Sequence, residues 1–266
     1  MYSLATLREI SEFLYQEQNE ELVPIGSGFS LVIVQKESTF WYLVTCKHIV
    51  KPLLDTGENI YARFNRSDEM AVAAKPLQGN WHFHPDACVD LAVLQCPPGG
   101  GALEVIAMDA DSLLTPNRSL VTGYTLKEGD GVFFSGLFEF YTGDRRNIPI
   151  LRFGRVAMLT NENLPGKFGL ARYHLLEIQA FPFNSGSPVF TMHPTVRGVD
   201  HSIVGVIAGF FPERQRARIT ETGEPVVFTH LGISSAVPAE AVAEILNSDA
   251  LVRDREKGIG AGRIER

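Results

Sequence analysis

Three short stretches carry side chains that could do chemistry together. The stretch FNSGSPVF, residues 183–190, places Ser185 in a Gly/Ser loop before a proline and an apolar strand start. A serine hydroxyl is a weak nucleophile near pH 7, so it needs an adjacent base, and the base needs a third group to fix its tautomer. The loop therefore either offers Ser185 to a substrate or is simply a turn, and the placement of histidine and acid residues decides between them.

A histidine and an aspartate occupy suitable positions. His48 closes the apolar stretch YLVTCKHIV, so its imidazole is expected at the end of a strand and not in the buried middle. Asp90 lies in CVDLAVLQC, directly against an alternating apolar strand. Burial of a carboxylate there is costly unless it accepts hydrogen bonds, and a histidine ring N–H is a natural donor.

The blocks VTCKHIV, DLAVL and NSGSPVF, in this order, resemble the three active-site blocks of the trypsin-like (chymotrypsin-fold) serine peptidases, particularly the bacterial members that lack disulfides. The resemblance covers roughly residues 24–246. It implies that Ser185 is the nucleophile, that His48 is the general base and then the general acid, and that Asp90 orients the imidazole. It also implies an oxyanion hole formed by the backbone N–H groups of Phe183 and Ser185.

Residue 183 departs from the family pattern, which usually has glycine there. The backbone conformation that points this N–H into the hole tends towards positive φ, where glycine is permissive and a bulky residue is strained. Three outcomes are open: a strained but productive peptide, a peptide flipped until substrate binds, or a lost oxyanion hole.

The resemblance also suggests where a substrate side chain binds. Gln179 is expected near the base of the primary pocket, and Ala208, Gly209 and Phe210 are expected to form its wall. Because the base is polar and uncharged, we expect no preference for Lys or Arg. The cations Arg214, Arg216, Arg218 and His230 could receive an acidic side chain, but a solvated hairpin is the favoured interpretation.

The elements around these residues predict an all-β protein. Short apolar runs such as FSLVIV, FWYLVT and SIVGVIAGF alternate with turn clusters, which is typical of a sandwich or barrel. The resemblance implies two six-stranded antiparallel β-barrels with a short N-terminal helix and a C-terminal helix. The predicted organisation is a helical segment 1–20, a first barrel 21–108, a linker 109–118, a second barrel with C-terminal helix 119–247, and a flexible tail 248–266.

Composition narrows the partners and the compartment. A net charge of −7 disfavours nucleic acid and acidic membranes as partners. Glutamates interrupt the N-terminal stretch where a signal peptide needs an apolar region, and three unpatterned cysteines argue against a disulfide framework. We therefore expect a cytoplasmic protein.

The stretch WHFHPDAC superficially resembles a metal site. It contains His82, His84, Asp86 and Cys88, but no second ligand pair accompanies them. We expect no metal and no organic cofactor. Cys46, two residues before His48, is expected to be a buried small hydrophobe.

Two hypotheses follow for function. The first is a cytoplasmic serine endopeptidase that acts on protein or peptide substrates, with any regulator supplied as a separate protein. The second is a protease-shaped binding module whose cleft grips a peptide but whose oxyanion hole is broken at Phe183.

Overall fold

The computed structural model describes residues 3–66, 73–96, 103–195, 198–216 and 226–260. Strands dominate it, as the alternation of apolar runs and turns predicts. No helix among these residues is both long and apolar enough to cross a membrane.

The N-terminal segment is only briefly helical. Helix α1 spans Leu4–Glu9, and the Ser3 hydroxyl accepts from the Thr6 N–H at its start. Strand β1, Ser11–Gln18, follows at once. The expectation of a helical segment over residues 1–20 is therefore wrong beyond Glu9. The apolar spacing that suggested a longer helix includes Phe13 and Leu14, which are both buried because β1 is covered on both faces.

The first unit is a nine-stranded sheet formed by β1 and the eight strands that follow it. Its main path runs β5-β4-β1-β2-β3-β7-β6, with β8 on β4 and β9 on β2. The end strands β5 and β6 are short, and no pairing among the described residues joins them, so hydrogen bonds within those residues do not close this sheet into a barrel. The strands are β2 (Glu21–Gln35), β3 (Ser38–Thr45), β4 (Ile60–Arg66), β5 (Ala73–Pro76), β6 (Trp81–Phe83), β7 (Ala92–Gln95), β8 (Leu103–Glu104) and β9 (Ala107–Asp109).

The second unit is a closed six-stranded barrel in the order β10-β11-β14-β17-β16-β15. Its interior is filled by side chains such as Phe134, Val156 and Leu176, all buried. A separate hairpin, β12 with β13, extends between β11 and β14. The strands are β10 (Gly131–Gly136), β11 (Ile150–Met158), β12 (Leu164–Gly166), β13 (Gly169–Ala171), β14 (His174–Glu177), β15 (Pro188–Thr195), β16 (Gly198–Arg216) and β17 (Val226–Pro238).

Helices connect and flank the two units. Helix α2, Lys47–Thr56, follows β3, and helix α3, Pro116–Thr122, comes shortly before the barrel. Within the predicted linker 109–118, a single 3-10 turn, Ala110–Ser112, precedes α3. The predicted C-terminal helix is present as α4, Ala239–Leu246.

The predicted flexible tail is a second helix over most of its length. Helix α5 spans Asp249–Gly260 and packs on the first unit, so the expectation for 248–266 is wrong up to residue 260. Leu251 is fully buried. The buried Arg255 guanidinium donates to the Tyr42 hydroxyl at 3.0 Å and to the Leu246 carbonyl at 2.8 Å. These contacts fix a segment whose charges and glycines suggested mobility.

Candidate active site

One cleft brings together side chains from both units. His48 reaches it from the first turn of α2, and Ser185 reaches it from the loop between β14 and β15. The cleft has a volume of about 500 Å³. Its lining residues are Ile25, His48, Lys167, Ala180, Phe181, Pro182, Phe183, Ser185, Ile207, Gly209 and Phe210.

Asp90 holds His48 by two hydrogen bonds. One carboxylate oxygen lies 2.6 Å from His48 Nδ1, and the other accepts from the His48 backbone N–H at 2.9 Å. Because a carboxylate only accepts, Nδ1 is the donor and Nε2 keeps its lone pair. The side chain of Asp90 is only 1% exposed. One oxygen faces the imidazole and the other faces the backbone N–H of the same residue, both away from solvent.

The same carboxylate also caps a helix. Cys46 occupies the N-cap of α2 and makes no side-chain capping bond. The N–H of His48, in the first turn, is satisfied instead by Asp90. A negative charge at a helix N-terminus is favourable because the free N–H groups and the helix dipole are positive there. The helix therefore helps to hold the acid that orients its own histidine.

Ser185 lines the cleft with its hydroxyl turned aside. Its Oγ donates to the Ala208 carbonyl at 3.4 Å, a long and weak contact. A serine side chain has three staggered rotamers, so little holds the hydroxyl in this one. Catalytic hydrogen bonds are often loose without substrate, and rotation about one bond is enough to point this hydroxyl elsewhere in the cleft.

The loop before Ser185 adopts an uncommon backbone conformation. Phe183 has φ of 72°, in the left-handed region, which costs a non-glycine residue about 1–2 kcal/mol. Within the described ranges, neither the Phe183 N–H nor the Ser185 N–H donates to a protein acceptor. These two N–H groups, on either side of Asn184, can therefore donate hydrogen bonds to an oxygen on which negative charge develops. The structure thus has the positive φ that the glycine position of the family predicts for residue 183.

Asn184 fixes the loop from inside. Its side chain is 1% exposed. The amide oxygen accepts from the Phe181 N–H at 2.9 Å, and the amide nitrogen donates to the Leu137 carbonyl at 2.6 Å. The loop is thereby tied to the end of β10.

The expected pocket residues divide into two groups. Gly209 and Phe210 line the cleft, and Ala208 contributes the carbonyl next to Ser185. Gln179 does not line it: this exposed residue borders a separate depression with Arg152 and Glu177. Burial alternates just after β14: Ile178 and Ala180 are buried, whereas Gln179 is exposed.

The cations considered as receptors for an acidic side chain cannot be placed. Arg218 and the side chains of Arg214, Arg216 and His230 lie outside the residues whose placement is described.

Sequence reasoning missed Lys167, a cation in the cleft wall. It sits at the tip of the β12–β13 hairpin, whose turn residues in LPGKFGL predict a hairpin but not its location. The neighbouring Phe168 ring lies 4.0 Å from Lys47 Nζ, measured to its centroid. That cation–π contact ties the hairpin to the residue before His48.

Cys46, His48 and Asp90 present potential ligand atoms within 4.8 Å of one another. Each of these three side chains already has a hydrogen-bond partner in the protein, since His48 and Asp90 bind each other. The Cys46 thiol donates to the Ile207 carbonyl at 3.1 Å, and burial raises its pKa well above the ordinary value, so the thiolate that would bind a metal is disfavoured. Cys46 is fully buried, as expected.

Three residues of WHFHPDAC, His84, Asp86 and Cys88, already have hydrogen-bond partners in the protein. His84 Nε2 pairs with Glu244 at 2.7 Å, and its Nδ1 accepts from the Asp86 N–H at 3.0 Å. An Asp86 oxygen accepts from the Cys88 N–H at 2.8 Å. In the part of the chain that the structure describes, these residues form no metal-binding group.

Comparisons with known proteins identify the family and the fold. A family model described as the trypsin-like peptidase domain matches residues 26–199. Among solved structures, the MamO protease domain from Magnetospirillum magneticum, in its apo form, is 15% identical with a TM-score of 0.56, covering 91% of this chain and 98% of that one. An inactive form of Rv3671c from M. tuberculosis H37Rv is 14% identical with a TM-score of 0.48, covering 91% and 88%. No curated protein sequence matches significantly. The chain belongs to the trypsin-like peptidase domain family.

Proposed function

We propose that the protein is a serine endopeptidase that hydrolyses peptide bonds through an acyl-enzyme at Ser185. The observation that carries this proposal is the 2.6 Å contact between His48 Nδ1 and the buried Asp90. His48 and Ser185 line the same cleft. Family membership supports the reaction class.

The proposed reaction follows from the tautomer of the neutral His48 imidazole, which carries its proton on Nδ1 and the lone pair on Nε2. His48 Nε2 takes the proton of the Ser185 hydroxyl as its oxygen attacks the peptide carbonyl. The oxyanion of the tetrahedral intermediate receives hydrogen bonds from the N–H groups of Phe183 and Ser185. His48 then gives its proton to the leaving amine as the C–N bond breaks. Water, activated by the same nitrogen, releases the carboxylic acid and restores Ser185.

A fluorophosphonate probe tests the proposal directly. The probe phosphonylates an activated serine, so we expect the wild-type protein to be labelled at Ser185 and the Ser185→Ala variant not at all. Labelling of His48→Ala should fall sharply because the base is gone. Failure of the folded wild-type protein to react, with retained peptide binding by Ser185→Ala, would instead favour the binding module.

The cleft chemistry suggests which substrates are cleaved. Most of its lining is apolar, including Ile25, Phe181 and Phe210. Lys167 supplies a cation, and within the described residues it forms no ion pair. An apolar side chain at the cleaved residue, with an acidic residue nearby in the peptide, matches this lining best.

Charge reversal at Lys167 is expected to change the preference for charged residues near the cleaved bond. An exposed ion pair contributes about 0.2–1 kcal/mol, so replacing attraction by repulsion in Lys167→Glu should shift the acidic-to-basic ratio of kcat/KM by roughly tenfold. Profiling a peptide library measures the ratio. Lys127→Glu, at an exposed position outside the cleft, is the control for net charge. An unchanged ratio in Lys167→Glu would remove Lys167 as a determinant.

A further inference from the structure

The side chain of Phe183 joins an aromatic cluster that spans both units. Phe13, Tyr15 and Leu137 form a small buried core, and the half-buried rings of Tyr61 and Phe183 pack against it. Phe13 and Tyr15 lie on β1 and Tyr61 lies on β4, whereas Leu137 follows β10 of the barrel. The ring of the strained residue is therefore held by contacts remote in sequence.

The backbone of Phe183 is anchored as well. The hydroxyl of the fully buried Ser27 donates to the Phe183 carbonyl at 2.9 Å and accepts from the Leu137 N–H at 2.9 Å. Ser27 also donates its own N–H to the Ser185 carbonyl at 2.9 Å. Strand β2 therefore holds the loop at residues 183 and 185, the two proposed oxyanion donors.

We propose that Phe183 is a positioning residue whose ring, packed against the core of Phe13, Tyr15 and Leu137, holds the left-handed backbone that aims its N–H at the oxyanion. A glycine reaches that conformation freely but does not favour it over others. Here aromatic packing selects it and offsets its strain. This inference rests on the proposed function, because an oxyanion forms only if Ser185 attacks a carbonyl.

Two substitutions at residue 183 separate the side chain from the backbone. Phe183→Gly loses the ring but keeps easy access to positive φ, whereas Phe183→Ala loses the ring and keeps the steric cost. We expect Phe183→Ala to label with the fluorophosphonate probe about tenfold more slowly than Phe183→Gly. The same ratio should appear in kcat, with KM changing less. Equal rates, or rates above wild type in both variants, would overturn the proposal.

Leu137→Ala tests the ring contacts without changing residue 183, because Leu137 belongs to the core against which the Phe183 ring packs. It should slow labelling severalfold when Phe183 is present and have little effect in the Phe183→Gly background, because no ring then remains to be held. Equal effects in both backgrounds would overturn the proposal.

Thermal unfolding gives a readout that does not depend on activity. Alanine normally stabilises a chain relative to glycine, but at a position held at positive φ the order reverses. We expect Phe183→Ala to melt below Phe183→Gly. A Phe183→Ala variant that melts as high as the wild-type protein would overturn the proposal even in a protein that never reacts with the probe, because packing of the ring would then offset no strain. Absence of labelling in the wild-type protein would count only against the proposed function.

Discussion

Asp90→Asn is expected to lower kcat by about 10⁴-fold with little change in the fold, because it leaves His48 in the wrong tautomer. The His48 backbone N–H needs an acceptor, so the new carboxamide would keep its oxygen where Asp90 now accepts at 2.9 Å. Its NH₂ group would then face the ring nitrogen that now lies 2.6 Å from the carboxylate. That nitrogen would have to accept, which moves the ring proton to Nε2 and removes the base.

Steady-state hydrolysis of a peptide substrate measures this loss. Asp55→Asn is the matched control, since Asp55 lies on α2, the helix that carries His48, but is exposed and pairs with Lys51 at 2.8 Å. It should leave kcat within about twofold. A loss of less than tenfold in Asp90→Asn would show that the tautomer of His48 does not limit the reaction.

Local sequence patterns, together with the family resemblance, predict the fold class and propose His48, Asp90 and Ser185 as candidate site residues. His48, Asp90 and Ser185 each stand at the end of, or beside, an apolar strand, and such runs report strands because side chains alternate between two faces. The capping role of Asp90 could not be found in this way. It depends on a contact between residues 48 and 90, which no local pattern encodes.

The errors also have physical causes. The sequence predicts a helix over residues 11–15, whereas they belong to strand β1. Consecutive residues of this strand are buried because it is covered on both faces, and such a run contains apolar residues at helical spacing. The C-terminal tail was assigned as mobile from its charges, yet Arg255 is buried because Tyr42 and Leu246 accept its hydrogen bonds. The resemblance implies that Gln179 lies at the base of the pocket, whereas the structure exposes its side chain between the buried Ile178 and Ala180, outside the cleft.

The sequence predicts backbone strain at Phe183, but it does not predict the packing that compensates this strain. A bulky residue at a glycine position warns of positive φ, and the structure has 72° there. The residues against which its ring packs lie on β1 and just after β10, far away in the chain. Only the assembled fold shows that the departure is accompanied by packing that can offset its cost.

Gly186→Ala is expected to lower the free energy of unfolding by about 2–5 kcal/mol, because it adds steric overlap to backbone strain. Gly186 has φ of 89°, and a Cβ atom there would lie 1.9 Å from the Ser27 carbonyl oxygen and 2.5 Å from the Thr45 hydroxyl. Ser27 cannot move away easily, since its N–H is bonded to Ser185 and its hydroxyl to Phe183. The displacement should therefore also reach the nucleophile and lower kcat.

Gly129→Ala separates the two contributions. Gly129 has φ of 87°, nearly the same as Gly186, but an added Cβ would meet no atom within 4 Å. Its substitution should cost only the conformational part, about 1–2 kcal/mol, and leave kcat unchanged. Chemical denaturation of both variants measures the difference. Equal destabilisation would mean that β2 yields to the extra methyl group, and the contact between Ser27 and the nucleophile loop would then be too soft to position Ser185.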